Sequence, residues 1–106
     1  MSNIRSPALL RLARGQSCVN CGADDGTTVA AHSNWMRHGK GKSIKAHDIF
    51  HAHLCYRCHA WLDQGSGADP TSMYIGSKAD KQAMFTDCME KTWIRLWQQG
   101  RIKVAA

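Results

Sequence analysis

The longest regular pattern lies near the C-terminus, where Phe85, Met89, Trp93, Leu96 and Trp97 recur at steps of three and four among polar residues. That spacing places one apolar stripe along a helix. Ser77 offers a capping side chain with Asp80 three residues on, and Gly100 stops the run, so a helix is predicted from Lys78 to Gln99. After it, Arg101-Ile102-Lys103-Val104 alternates like a short strand. Upstream the signals are shorter. Ser6 before Pro7 is a capping hydroxyl followed by a proline where no N–H is needed, which opens two helical turns over Ala8 to Arg14, ended by Gly15. Thr27 to His32 reads as a strand, with β-branched residues leading into the histidine. From Ser33 to Lys45 no period is visible, which predicts an ordered, non-repetitive loop. Asp48 to Leu54 is a second short strand or an irregular approach to the helix expected from Cys55 through Leu62. Gly65 to Gly76 is turn-rich and reads as a linker.

These pieces predict an α+β fold in one small domain. Residues 7–64 form its core, 65–76 a linker, and 77–104 a C-terminal helix with a short strand. At 106 residues there is room for a single modest core. A structural metal commonly supports a core of that size, because assembling the site is linked to folding.

The cysteines supply such a site. Cys18-Val19-Asn20-Cys21 and Cys55-Tyr56-Arg57-Cys58 are two CxxC pairs separated by 33 residues, each a knuckle offering two sulfurs. The shell for zinc is Cys18, Cys21, Cys55 and Cys58, or three of these with a histidine. A redox CxxC and scattered buried thiols are the plainer alternatives. Five cysteines, an odd number, fit two metal-binding pairs and a spare better than a disulfide framework. The spare, Cys88, falls in the helical pattern and reads as a core thiol. No apolar run approaches the length that spans a bilayer, and the first residues lack the apolar core of a secretory signal. A reducing cytoplasm is the expected setting. The formal charge is +6; four thiolates and one zinc ion would bring it to about +4, which still favours an anionic partner such as nucleic acid.

The segment Leu54-Cys55-Tyr56-Arg57-Cys58-His59 resembles the closing motif of HNH nucleases, and the strand ending in Ala31-His32 resembles their opening motif. More narrowly, the chain is similar to the small prophage proteins called YbcO-like, an HNH-related group near the phage Ref nuclease. The likeness rests on Thr27 to His32, Lys45 with Asp48, Cys58-His59 with Asp63 and Gly65, and the C-terminal helix with its tail. It implies a ββα-metal (HNH, or His-Me finger) domain framed by structural zinc, and a metal-dependent DNA endonuclease or nickase in a bacterial host cytoplasm. His32 would be the general base, as a neutral imidazole near pH 7 suits that task. His59 would bind a catalytic Mg²⁺ or Mn²⁺, with Asp63 one helical turn on or Asp48 as the carboxylate. Lys45 would orient the phosphate or stabilise its charge. A recombinase–DNA filament is a further partner suggested by the likeness to Ref.

Two positions depart from the wider family. Ala31 stands where many HNH motifs carry Asp or His, and Phe50 and His51 occupy the region of the usual asparagine. One metal ligand must then come from elsewhere. Asn34 offers a polar contact near the base, and equally suits a turn.

The loop Arg37 to Lys45 carries Arg37, Lys40, Lys42 and Lys45 and no acid, which suits contact with a phosphate backbone as well as simple solvation. Its Gly-Lys-Gly-Lys-Ser string has the wrong spacing for a P-loop. A second function class remains open beside the nuclease: a noncatalytic zinc-knuckle module that binds DNA or a protein.

Overall fold

The computed structural model describes residues 3–63 and 77–105; the linker expected over 65–76 lies outside the described residues. In chain order the elements are helix α1 (Pro7–Arg11), strand β1 (Val29–His32), a 3-10 turn (Met36–His38), strand β2 (His51–Leu54), helix α2 (Tyr56–Asp63) and helix α3 (Lys78–Gln98). The fold is α+β, as expected. Two antiparallel strands are followed by a helix in a ββα arrangement, and α3 packs on the hairpin.

The register pairs Val29 with Leu54, Ala30 with His53, Ala31 with Ala52 and His32 with His51. Side chains alternate along a strand, so Ala31, Ala52 and Leu54 share the face toward α3. There they meet Phe85, Cys88 and Met89, with Cys18 and Cys55 at the border of the same cluster. Two alanines on the sheet keep its surface low and let the helix come close.

α3 starts where its sequence says it should. The Ser77 hydroxyl accepts the Asp80 N–H at 3.1 Å and the Asp80 carboxylate accepts the Ser77 N–H at 2.9 Å, a complete capping box. The buried stripe differs from the expected one. It runs Phe85, Cys88, Met89, Thr92, Leu96, while Trp93 is half-buried and Trp97 stays 56% exposed. Leu96 takes the inward position and its neighbour Trp97 turns about 100° away around the helix.

Two polar side chains of α3 fix its place. The buried Thr92 hydroxyl donates to Cys88 O at 2.8 Å and accepts the His53 N–H at 3.1 Å. Arg95 donates to Ser17 O at 2.8 Å, to Ser17 Oγ at 2.9 Å and to His53 Nδ1 at 3.2 Å, tying helix, hairpin and the approach to the first knuckle.

Two local expectations need correction. α1 ends at Arg11, because Ala13 and Arg14 bond back three residues rather than four and tighten the chain into turns before Gly15. Arg101 to Val104 is not a strand. The Arg101 N–H turns back to Leu96 O at 2.8 Å, and the sheet has only two strands among the described residues.

Candidate metal centre and the His32 site

The first knuckle closes by backbone bonds. The Cys18 N–H reaches Ala23 O and the Gly22 N–H reaches Cys18 O, both at 2.9 Å. Gly22 takes φ of +80°, a conformation glycine adopts without a Cβ clash. Val19, next to Cys18, donates its N–H to His53 O at 3.0 Å, which hangs the knuckle on β2. The second knuckle begins where β2 ends. Thr27 Oγ1 accepts the Tyr56 N–H at 3.0 Å and so caps α2, bringing Cys58 back over Cys55.

The ligand atoms of Cys18, Cys21, Cys55 and Cys58 all lie within 4.8 Å of one another. Cys21 Sγ and Cys55 Sγ are 3.6 Å apart. Tetrahedral zinc with Zn–S bonds of about 2.3 Å sets its sulfurs about 3.8 Å apart, so this donor set fits zinc. Burial pushes the Cys18 thiol up, but hydrogen bonds from the backbone of Cys21, Cys55 and Asn20 outweigh it and lower its pKa to about 7. Burial raises the Cys58 thiol instead. Asn20 Nδ2 donates to Cys58 Sγ at 3.3 Å, a contact suited to a thiolate. The sequence left room for a histidine in place of one cysteine; the structure gathers all four sulfurs. Cys88 is buried apart, its thiol pushed up to about 12 by burial and then by the Asp87 charge.

His32 ends β1 with its side chain about one quarter exposed, and its Nε2 meets Asp48 Oδ1 at 2.8 Å. Asp48 is buried, and its carboxylate is held by several donors: Arg5 Nη1 reaches Oδ1 at 3.2 Å and the Ser6 N–H reaches Oδ2 at 2.6 Å. Burial alone would raise the Asp48 pKa. The Ser6 amide, His32 and Arg5 outweigh it and hold the carboxyl below its usual range. A carboxylate only accepts, so His32 donates from Nε2, and in the neutral ring Nδ1 is then the acceptor nitrogen.

An N-terminal arm, residues 3–6, frames this pair. Asn3 Nδ2 donates to Gly39 O at 2.8 Å and Lys45 O at 2.9 Å; the Ile4 N–H donates to His47 Nδ1 at 2.8 Å. Arg5 also donates to Ala46 O and Lys45 O, each at 2.6 Å. Gly39 must be glycine here. A Cβ on it would sit 2.9 Å from both Asn3 Nδ2 and His47 Cδ2, and its φ is +94°. Nothing in the sequence marks this arm, because its partners lie about forty positions away.

His59 and Asp63 form a second pair on α2, Nε2 to Oδ2 at 3.1 Å, one turn apart as expected. Among the described residues, the four-cysteine group is the one cluster of three or more metal-ligand side chains whose ligand atoms lie within 4.8 Å of one another. His32–Asp48 and His59–Asp63 are therefore two separate pairs. In the basic loop, the Arg37 guanidinium stacks over Trp35 at 4.5 Å, and Lys42 and Lys45 are exposed while Lys40 is half-buried. The loop folds through its 3-10 turn and a tip bridged between Gly41 and Ile44.

A cleft of about 150 Å³ adjoins His32, walled by Asn34, Trp35, Leu62, Lys78 and Lys81. The two lysines escaped the sequence reading. Their signal was there: Lys78, Lys81 and Phe85 fall at steps of three and four, so the same face that buries Phe85 turns these lysines toward the hairpin's end.

Three further histidines are structural in their contacts. His51 Nδ1 donates to Asp48 O at 2.6 Å, and His38 Nδ1 meets Ser33 Oγ at 2.5 Å while its ring stacks on Phe50. Burial lowers the pKa of each, and takes His53 down to about 4 with help from the charges of His51 and Arg95. His51 and His53 are fully buried, which favours the neutral form of each ring.

Fold and site together define a small metal-binding domain with a ββα arrangement. Comparison with protein-family models, curated proteins and solved structures finds no match. Among the described residues, no helix is long and apolar enough to cross a membrane.

Proposed function

We propose that this domain is a metal-dependent DNA endonuclease or nickase of the HNH kind, acting in phage or prophage DNA processing in a bacterial cytoplasm. The observation that carries the reading is the 2.8 Å contact between His32 Nε2 and Asp48 Oδ1 at the rim of a lysine-walled cleft. Asp48 selects the tautomer whose Nδ1 is a base, and the arm holds Asp48. In hydrolysis, His32 Nδ1 takes a proton from water as the water oxygen bonds to phosphorus and the bond to the leaving oxygen breaks. Lys78 and Lys81 lower the cost of the negative charge that develops. His59 and Asp63 are the residues that would hold Mg²⁺ or Mn²⁺, an ion that neutralises charge on the scissile phosphate and leaving oxygen. The zinc at the four cysteines is structural. Arg37, Lys40, Lys42 and Lys45 meet the phosphate backbone, with DNA alone or in a recombinase filament as partner.

The test is cleavage of single-stranded, duplex and branched DNA by zinc-loaded protein with added Mg²⁺ or Mn²⁺. Cutting that disappears in His32→Ala, with zinc and helix content kept, is the expected result. One observation favours the rival reading of a noncatalytic zinc-knuckle binding module: His59 and Asp63 bond each other and stand apart from His32. DNA binding without cutting on any of the three substrates would decide for that module.

A further inference from the structure

Among the described residues, α3 leaves one side uncovered. An open groove of about 650 Å³ is lined by Ile49, Phe50, Trp93, Ile94, Trp97 and Ile102, with Ile94 and Trp97 each 56% exposed. Among the described residues no lysine or arginine lines it, which separates it from the basic cleft at His32 and argues against a nucleic-acid occupant. Contiguous apolar surface of this kind marks protein contact. Trp93 is already locked as its floor, its Nε1 donating to Ile49 O at 2.9 Å.

We propose that the occupant is a second copy of this chain, bound across a two-fold axis with the two α3 helices antiparallel. The same patch carries both a protruding side chain, Trp97, and a groove to receive it, as an isologous interface requires. The charges along α3 are self-complementary in that orientation. Glu90, Ile94 and Trp97 fall at steps of four and three on one helical stripe, with Glu90 exposed at its N-terminal end. Arg101 and Lys103, both exposed, flank Ile102 at the other end of the groove. An antiparallel partner sets Ile94 against Trp97 and brings each Glu90 to the other copy's Arg101. A parallel arrangement would stack like charges at both ends. This proposal does not depend on the chain being a nuclease.

Sedimentation equilibrium of the zinc-loaded full chain, across micromolar concentrations, tests it. A concentration-dependent monomer–dimer equilibrium is expected. Trp97→Glu should weaken dimerisation by at least about thirtyfold, as central tryptophans do, with zinc content and helix signal unchanged. Glu90→Arg alone should weaken it by about tenfold, and adding Arg101→Glu should restore most of the loss. A chain that is monomeric at every concentration, or a dimer indifferent to both Trp97→Glu and Ile94→Glu, overturns the proposal. So does a Glu90→Arg defect that Arg101→Glu leaves unrepaired.

Discussion

Asp48 Oδ1 lies 2.8 Å from His32 Nε2, and the same carboxylate receives the Ser6 N–H on its other oxygen at 2.6 Å. One buried acid thus joins the end of β1 to the start of the chain. Asp48→Asn is expected to keep fold and zinc while placing an amide N–H against His32 Nε2, forcing the imidazole proton onto Nδ1. Cleavage should fall by about a thousandfold or more. Nitrogen-15 chemical shifts of the His32 ring would display the tautomer change, and unchanged shifts would dismiss it.

Arg5 gives one guanidinium to Lys45 O, Ala46 O and Asp48. Arg5→Ala leaves those acceptors to water, since the side chain is 42% exposed. The stability loss should be about 1–3 kcal/mol by urea denaturation. His32 should show faster solvent exchange around its ring in the same variant.

Thr92→Val removes the hydroxyl that accepts the buried His53 N–H. Shape is nearly kept and one donor is stranded in the core, so about 1–3 kcal/mol should be lost. A midpoint of unfolding equal to that of the parent would show that the amide finds another partner.

Zinc removal is expected to unfold the domain. Metal analysis should give one zinc per chain, and Cys55→Ser should lose zinc and the far-ultraviolet helix signal together. Cys88→Ser is the control and should keep its zinc, because that thiol lies outside the four-sulfur group.

The buried histidines His51 and His53 both contribute to the pH dependence, and His51 can be tested by itself. Burial holds the folded pKa of His51 below the ordinary 6.5, so the unfolded chain binds a proton that the folded chain refuses. Stability therefore falls as pH drops through 6.5, and the loss ends only below the folded value. His51→Asn, which preserves a donor for Asp48 O, should be less sensitive between pH 7.5 and 5.5 than the parent in matched urea titrations.

Much of the frame was legible from the chain itself. The two CxxC pairs mark the metal centre, Ser77 with Asp80 marks the start of α3, and the β-branched run marks β1. Each signal is local, written within a few residues of the feature it produces. Trp97 defeated the same logic, because an apolar stripe cannot tell its buried edge from its exposed one until a sheet is packed against it. The His32 pair was half legible: both residues stood out, yet their direct contact depends on a loop of no period and on an arm from the chain's beginning. The irregular C-terminal tail looked like a strand because alternation over four residues says nothing about whether a neighbouring strand is there to receive it.

The loop between the strands is pinned at its neck, where the Ser33 N–H meets Phe50 O at 2.9 Å and the His47 N–H meets His38 O at 3.0 Å. Its far tip turns over at Ser43, with φ of +58°. Length can therefore drift at the tip over evolutionary time at little cost, since closing a somewhat longer loop adds only a small entropy. An insertion inside β1 or β2 is another matter: it would turn His32 or His51 to the opposite face of the sheet. The tip is the natural place to splice in new specificity, and the strands are where a single inserted codon would dismantle the site.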